Sequence, residues 1–221
     1  MLKKFVLGSI TAVVLAACGG EGSNSASSAP AQSGAASGSL IERINNKGTI
    51  TVGTEGTYAP FTYHDKDGKL TGYDVEVTRA VADKLGIKVE FKETRWDSMM
   101  AGLKAGRFDV VANQVGLTSP ERQATFDKSE PYSWSGAVLV ARKDSNIKSI
   151  DDIKGVKTAQ SLTSNYGEKA KAAGADLVAV DGLAQSLTLI EQKRADATLN
   201  DELAVLDYLK KNPNAGVKIV W

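Results

Sequence analysis

From Thr49 to Trp221 the sequence alternates strand-like and helix-like runs, which commits the chain to an α/β architecture. Thr49-Ile50-Thr51-Val52-Gly53 has strand periodicity, and Ile87-Lys88-Val89-Glu90-Phe91 places its apolar residues at every second position. Residues 109–112 and 137–141 are short apolar runs of the kind found in a sheet covered on both faces. Residues 74–85 and 97–105 read as helices, each opened by an Asp at the expected N-cap and closed by Gly86 or Gly106. Ser119-Pro120-Glu121-Arg122 reads as another helix start, with Ser as cap, Pro at the first position and an acid in the first turn. Past residue 141 the logic restarts. Strands are expected at 156–159, 177–180, 195–199 and 217–221, and helices at 164–173, 183–193 and 202–210. Two successive α/β sets predict two lobes, joined near residues 137–143.

Composition narrows the chemistry. The 221 residues include one Cys and one His, so an internal disulfide is impossible and neither a Cys/His zinc site nor a Cys–His catalytic pair can be built. No metal or cofactor is expected. The 27 Lys+Arg against 26 Asp+Glu leave no basic excess to hold nucleic acid. Met1-Leu2-Lys3-Lys4 is a basic start, followed by an apolar stretch at 5–15. That stretch is too short to span a bilayer, which takes about 20 residues, but it suits a secretory signal. It ends in Leu15-Ala16-Ala17-Cys18, which resembles a bacterial lipobox. Residues 1–17 are therefore expected to be a signal peptide, and Cys18 to carry lipid, palmitate included, as the membrane anchor. Residues 18–39 are rich in Gly, Ser and Ala, with Glu21 the only charge, and are expected to be a disordered tether reaching roughly 25 Å. No other segment is apolar for long enough to cross a membrane. The expected location is the outer side of the cytoplasmic membrane, periplasmic or extracellular, in a bacterial cell envelope.

In open α/β sheets, ligands bind beyond the carboxyl ends of the strands. Four segments fall there: 54–61, 113–122, 160–165 and Asn200-Asp201. Glu55, Tyr58 and Phe61 surround a turn, where aromatics either wall a ligand or cover the local core. Gln114, Gly116 and Thr118 follow an apolar strand. Near the helix start after them, Arg122 can clamp a carboxylate through two parallel N–H bonds or stand as a solvated surface charge. Thr163-Ser164 can offer backbone N–H groups to an anion or act as a plain cap. Asp201 can cap the following helix or hold a cation. Together, one cation, one anion, aromatic walls including Trp96, and helix-start amides suit a zwitterion with an α-carboxylate and an α-ammonium.

Gly53-Thr54-Glu55-Gly56-Thr57-Tyr58-Ala59-Pro60-Phe61 and Leu70-Thr71-Gly72-Tyr73-Asp74-Val75-Glu76 resemble the opening of the polar amino-acid-binding proteins of ABC importers, solute-binding protein family 3. So do Trp96-Asp97, Gly106-Arg107-Phe108-Asp109, Thr118-Ser119-Pro120-Glu121-Arg122 and Phe126-Asp127-Lys128-Ser129-Glu130-Pro131-Tyr132, all in the family's order. The resemblance implies a two-lobed, type II periplasmic-binding-protein-like fold, with lobe 1 at 40–138 and lobe 2 at 139–221. It also implies that the chain ends before the second hinge crossing, with the return to lobe 1 absent. By motif, Arg122 is expected to bind the α-carboxylate, helped by Thr118 and the backbone near Thr163 and Ser164. Asp201 is expected to bind the α-ammonium with the carbonyl of Gln114 or Gly116; the family usually has Thr where Gly116 stands. Tyr58 and Trp96 are expected to flank the ligand side chain, with Glu55 and Gln160 at its polar end. Glu55-Gly56-Thr57-Tyr58 and Asn113-Gln114-Val115 look most like the cystine-binding lipoproteins. The expectation is a monomeric receptor, not an enzyme, that hands L-cystine or another polar L-amino acid to a membrane permease. An amino-acid-sensing lipoprotein and a dehydratase or lyase on the same fold are the alternatives.

Overall fold

A computed structural model of the protein describes residues 39–221. The expected signal peptide, the lipidation site Cys18 and the tether as far as residue 38 lie outside the described residues. Helix α1 (Leu40–Lys47) opens at a capping box. The Ser39 hydroxyl accepts from the Glu42 N–H, and the Glu42 carboxylate accepts from the Ser39 N–H. Strand β1 (Thr49–Thr54) follows, then β2 (Thr57–Tyr58), β3 (Thr62–His64) and β4 (Leu70–Thr71), which pair as a small antiparallel meander. Helix α2 (Tyr73–Leu85), β5 (Lys88–Glu93), α3 (Trp96–Lys104), β6 (Val110–Val111) and α4 (Pro120–Thr125) complete this half. Its main sheet has the order β5-β1-β6, all parallel, with Thr49 opposite Lys88 and Val52 opposite Val110.

Residues 126–136 carry the chain to β7 (Ala137–Arg142), the first strand of a second sheet. After a 3₁₀ turn at Ile150–Ile153 come β8 (Lys157–Gln160), α5 (Asn165–Ala172), β9 (Asp176–Ala179), α6 (Leu183–Glu191), β10 (Ala197–Asp201), α7 (Glu202–Lys211) and β11 (Val217–Ile219). The sheet order is β11-β7-β10-β8-β9, with β10, β8 and β9 parallel and β7 antiparallel to both its neighbours. Strand β7 shows why its sequence is apolar throughout. Val138 and Val140 pack with Leu187, Ile190 and Val205 on one face, while Leu139 and Ala141 pack with Ile153, Ala170 and Leu199 on the other.

The α/β class and the two successive sets are as the sequence pattern predicts, with element ends shifted by a few residues. The pattern gave no reading of α1 or of β2 to β4, which are only two or three residues each. Two expected caps are corrected. Helix α2 begins at Tyr73 after Gly72, which stands at φ 120° where a side chain would collide with the Phe61 carbonyl. Asp74 therefore lies inside the first turn, with its carboxylate buried. Helix α3 begins at Trp96 after Arg95, and the Asp97 carboxylate binds residue 163 instead of its own helix. In both cases a distant partner outcompeted the local cap.

The first lobe closes around Phe108, 4% exposed, whose ring lies 2.7 Å from where a Cβ on Gly53 of β1 or Gly102 of α3 would stand. Gly53→Ala should destabilise the protein by about 1–3 kcal/mol through overpacking. Shortening the ring with Phe108→Leu should recover part of the loss. Unfolding midpoints in urea would test this: no change in Gly53→Ala would exclude the ring–glycine contact as a constraint on the lobe.

Candidate functional site

Parallel strands direct their carboxyl ends to one edge, so the loops after β1 and β6 meet those after β8 and β10 across a cleft. Several polar links cross it. The Tyr58 hydroxyl donates to Asn200 Oδ1 at 2.7 Å, and Arg122 Nη2 donates to the Thr163 carbonyl at 2.7 Å. Thr163 donates its N–H (3.1 Å) and Oγ1–H (2.7 Å) to Asp97 Oδ1, and Arg95 Nε pairs with Asp181 Oδ2 at 2.8 Å. Phe61 and Tyr58 pack into the apolar cluster of the second sheet. The lobes are closed on one another.

The cavity between them is lined by Glu55, Tyr58, Trp96 and Gln114 from one side and by Gln160 and Ser164 from the other. Asn113, Tyr166, Ser186 and Asn200 line it too, and were not singled out from sequence. Asn113 and Asn200 fall within the candidate segments. Tyr166 lies one residue beyond one of them, in the first turn of α5, and that helix-start position is the only signal it carries. Thr118 is exposed and is not among the lining residues. Gly116 contributes its carbonyl, which accepts from Arg122 Nη1 at 3.0 Å.

The polar groups are held by specific partners. Arg122 is 7% exposed; besides the Gly116 and Thr163 carbonyls it has the Trp96 ring, 5.6 Å from its Cζ. Among the described residues no carboxylate forms an ion pair with it. Asp201 is the N-cap of α7, its Oδ1 accepting from Leu203 N (2.8 Å) and Ala204 N (3.2 Å), and it also hydrogen-bonds the Tyr166 hydroxyl. Burial and Asp201 push the Tyr166 phenol above its ordinary value, and burial does the same for Tyr58. Ser164 caps α5 through Gly167 N at 2.9 Å. The Gln160 carboxamide bridges to β10, its oxygen accepting from Leu199 N (2.6 Å) and its nitrogen donating to Leu199 O (3.2 Å). Trp96 Nε1 is buried without a hydrogen-bond partner among the described residues.

Glu55 is held by Asn113, which donates Nδ2–H to Oε2 at 2.6 Å and accepts the Glu55 N–H at 2.8 Å. Burial raises the Glu55 pKa from 4.5 to about 7, with smaller upward pushes from Asp181 and Asp97 and an opposing effect of the Asn113 bond. Arg122 and Asp201, like Gly116 and Thr163, are not among the lining residues; Arg122 contacts Trp96 and Asp201 bonds Tyr166, which do line the cavity, and the lining itself offers a protonatable carboxyl, amides and aromatic walls. This set can hold and orient a small charged molecule.

The family model described as bacterial extracellular solute-binding proteins, family 3, matches residues 50–215. The L-cystine-binding protein TcyA of Bacillus subtilis (strain 168) is 55% identical over 223 residues, covering 100% of this chain and 80% of that protein. Among solved structures, the L-cystine solute receptor of Neisseria gonorrhoeae in its unliganded open conformation is 95% identical, with 83% of this chain and 78% of that one covered and a TM-score of 0.51. An ancestral arginine-binding protein bound to arginine is 39% identical, covers 78% of each chain and scores 0.73. The more similar sequence gives the lower score, so lobe arrangement and not sequence divergence sets the difference. The present closed arrangement is nearer to the ligand-bound relative than to the open one.

In the fold, burial holds the Glu55 carboxyl at about 7, against 4.5 for the free side chain. The folded state therefore binds the Glu55 proton more tightly than the unfolded chain does, so the stability this group contributes is greatest below 4.5 and is lost as pH rises through about 7. Raising pH from about 5 to about 8 should lower the urea unfolding midpoint of the ligand-free chain, and Glu55→Gln should reduce that dependence. An equal pH response in both proteins would refute it.

Proposed function

The chain belongs to the bacterial extracellular solute-binding proteins, family 3, and we propose on that premise that it binds a polar L-amino acid, L-cystine first, between its lobes and delivers it to an ABC permease. The observation that carries this reading is Arg122: a guanidinium enclosed at the lobe boundary, bonded only to carbonyls, calls for an anionic partner. Two of its five N–H donors are engaged by Gly116 and Thr163, and the rest are assigned to the ligand α-carboxylate. Asp201 takes the α-ammonium, with its capping bonds and Tyr166 fixing the carboxylate. Tyr58 and Trp96 flank the ligand side chain, and Glu55 stands at its polar end. Cystine is preferred because TcyA and the gonococcal receptor, named for it, are similar at 55% and 95% identity.

Ligand held by both lobes stabilises only the closed form, so binding shifts the open–closed population, and the closed shape is what the permease recognises. Lipid on Cys18 keeps the receptor at the membrane. No step of this reading breaks a bond in the ligand.

Thermal unfolding of the chain from residue 19 with a panel of L-amino acids tests the ligand. L-cystine at about a thousand times its Kd should add about 4 kcal/mol. Stabilisation by some other amino acid alone would replace cystine, and none by any would overturn the ligand class. Arg122→Ala should weaken binding about 100-fold or more, as loss of a buried charged contact does; affinity within a few-fold of the unmutated chain would sink the carboxylate assignment. Asp201→Asn should weaken amino acids more than their deaminated analogues. Titration calorimetry with both ligands decides that point, and equal losses count against an ammonium contact.

A further inference from the structure

Asp74 is fully buried, has no ion pair among the described residues, and commits its carboxylate to two other segments of the chain. Its Oδ2 accepts from the Gln114 N–H at 2.7 Å, and its Oδ1 from Gln114 Nε2 at 2.6 Å. The Tyr132 hydroxyl hydrogen-bonds the same carboxylate. Gln114 Oε1 in turn accepts from Ser133 Oγ at 2.8 Å, and the Tyr73 hydroxyl donates to the Tyr132 carbonyl at 2.6 Å. One hydrogen-bonded cluster, with Asp74 buried at its centre, thus joins the first turn of α2, the cleft loop after β6, and residues 126–136, which lead from one sheet to the other.

Gln114 stands at φ 51°, in the left-handed region that side chains other than glycine adopt at a cost. Such a conformation persists only where its surroundings enforce it, and the bidentate grip of Asp74 does so here. We propose that Asp74 is a positioning residue, holding Gln114 in its left-handed conformation at the cleft wall and tying that wall to the segment crossing between the lobes. The ligand-facing loop and the hinge then share one fixed point on α2. Lobe movement turns the chain beyond Ser133 while Gln114 keeps its place. The affinity arm of the test rests on the amino-acid-binding reading; the exchange arm does not.

Four proteins decide it: Asp74→Ala, Asp74→Asn, Gln114→Gly and the double variant Asp74→Ala/Gln114→Gly. Without ligand, Asp74→Ala should speed amide exchange at Gln114 and Ser133 together by about tenfold or more, with Leu139 in the second sheet unchanged. Its affinity for L-cystine should fall about tenfold or more. Glycine adopts positive φ freely, so the double variant should regain several-fold of that affinity, which repair of a packing defect would not produce. Gln114→Gly alone gives the reference affinity of the glycine background, and adding Asp74→Ala to it should cost less than Asp74→Ala costs in the unmutated chain. If Asp74→Ala does not fold, Asp74→Asn, which keeps an acceptor for the Gln114 N–H, should fold and show smaller changes at the same two amides. Unchanged exchange at Ser133, or equal affinity of Asp74→Ala and the double variant, overturns the proposal. If the unmutated chain does not bind L-cystine, the ligand assignment fails and the exchange pattern alone decides the role of Asp74.

Discussion

A guanidinium stays charged under all conditions, and enclosing one is costly unless its donors and its charge are both answered. Arg122 sits at that limit, nearly enclosed against the Trp96 ring and satisfied by two carbonyls, one from its own loop and one from the opposite lobe. Carbonyls answer donors but do not neutralise a charge. The closed cleft is thus built around a positive centre that an anion from solution can complete. The Thr163 carbonyl reaches Arg122 only when the lobes meet, so the same contact reports closure.

Around this centre the acidic groups have separate tasks. Asp201 is committed to the helix start behind it, Asp97 to Thr163 across the rim, and Asp74 to Gln114 beneath the cleft wall. Glu55 is held by the neutral Asn113 amide, and burial pushes its carboxyl up to about 7. Similar side chains serve as cap, latch, anchor and adjustable wall, and the difference lies in their partners. The open gonococcal structure, 95% identical with a TM-score of 0.51, fits a molecule whose lobes keep their own folds while the contacts between them are made and broken.

Some of this was legible in the chain. The alternating runs gave the α/β class, because burial on both faces of a sheet demands continuous apolar strands such as 137–141. Positions after strands gave Tyr58, Gln114, Gln160 and Ser164 as cavity residues, because strand direction sends those loops to one edge. The caps of Asp74 and Asp97 were misread for a physical reason. A carboxylate near a helix start has a local partner within reach, and sequence shows only local partners. Arg122 had two readings at the level of the residue, and enclosure by Trp96 and Thr163 excluded the solvated one.

The sequence by itself determined the class of fold, the exclusion of an internal disulfide, a Cys–His pair and a Cys/His zinc site within these 221 residues, and the loops from which a site must be drawn. These follow from periodicity, composition and chain direction, which need no knowledge of distant contacts. Only the tertiary structure decided what each charged group does. Burial and pairing depend on residues far apart in the chain, such as Arg122 with Thr163, Asp74 with Gln114, and Glu55 with Asn113. The energy of a charge in a protein is set by what encloses it, and enclosure exists only once the chain has folded.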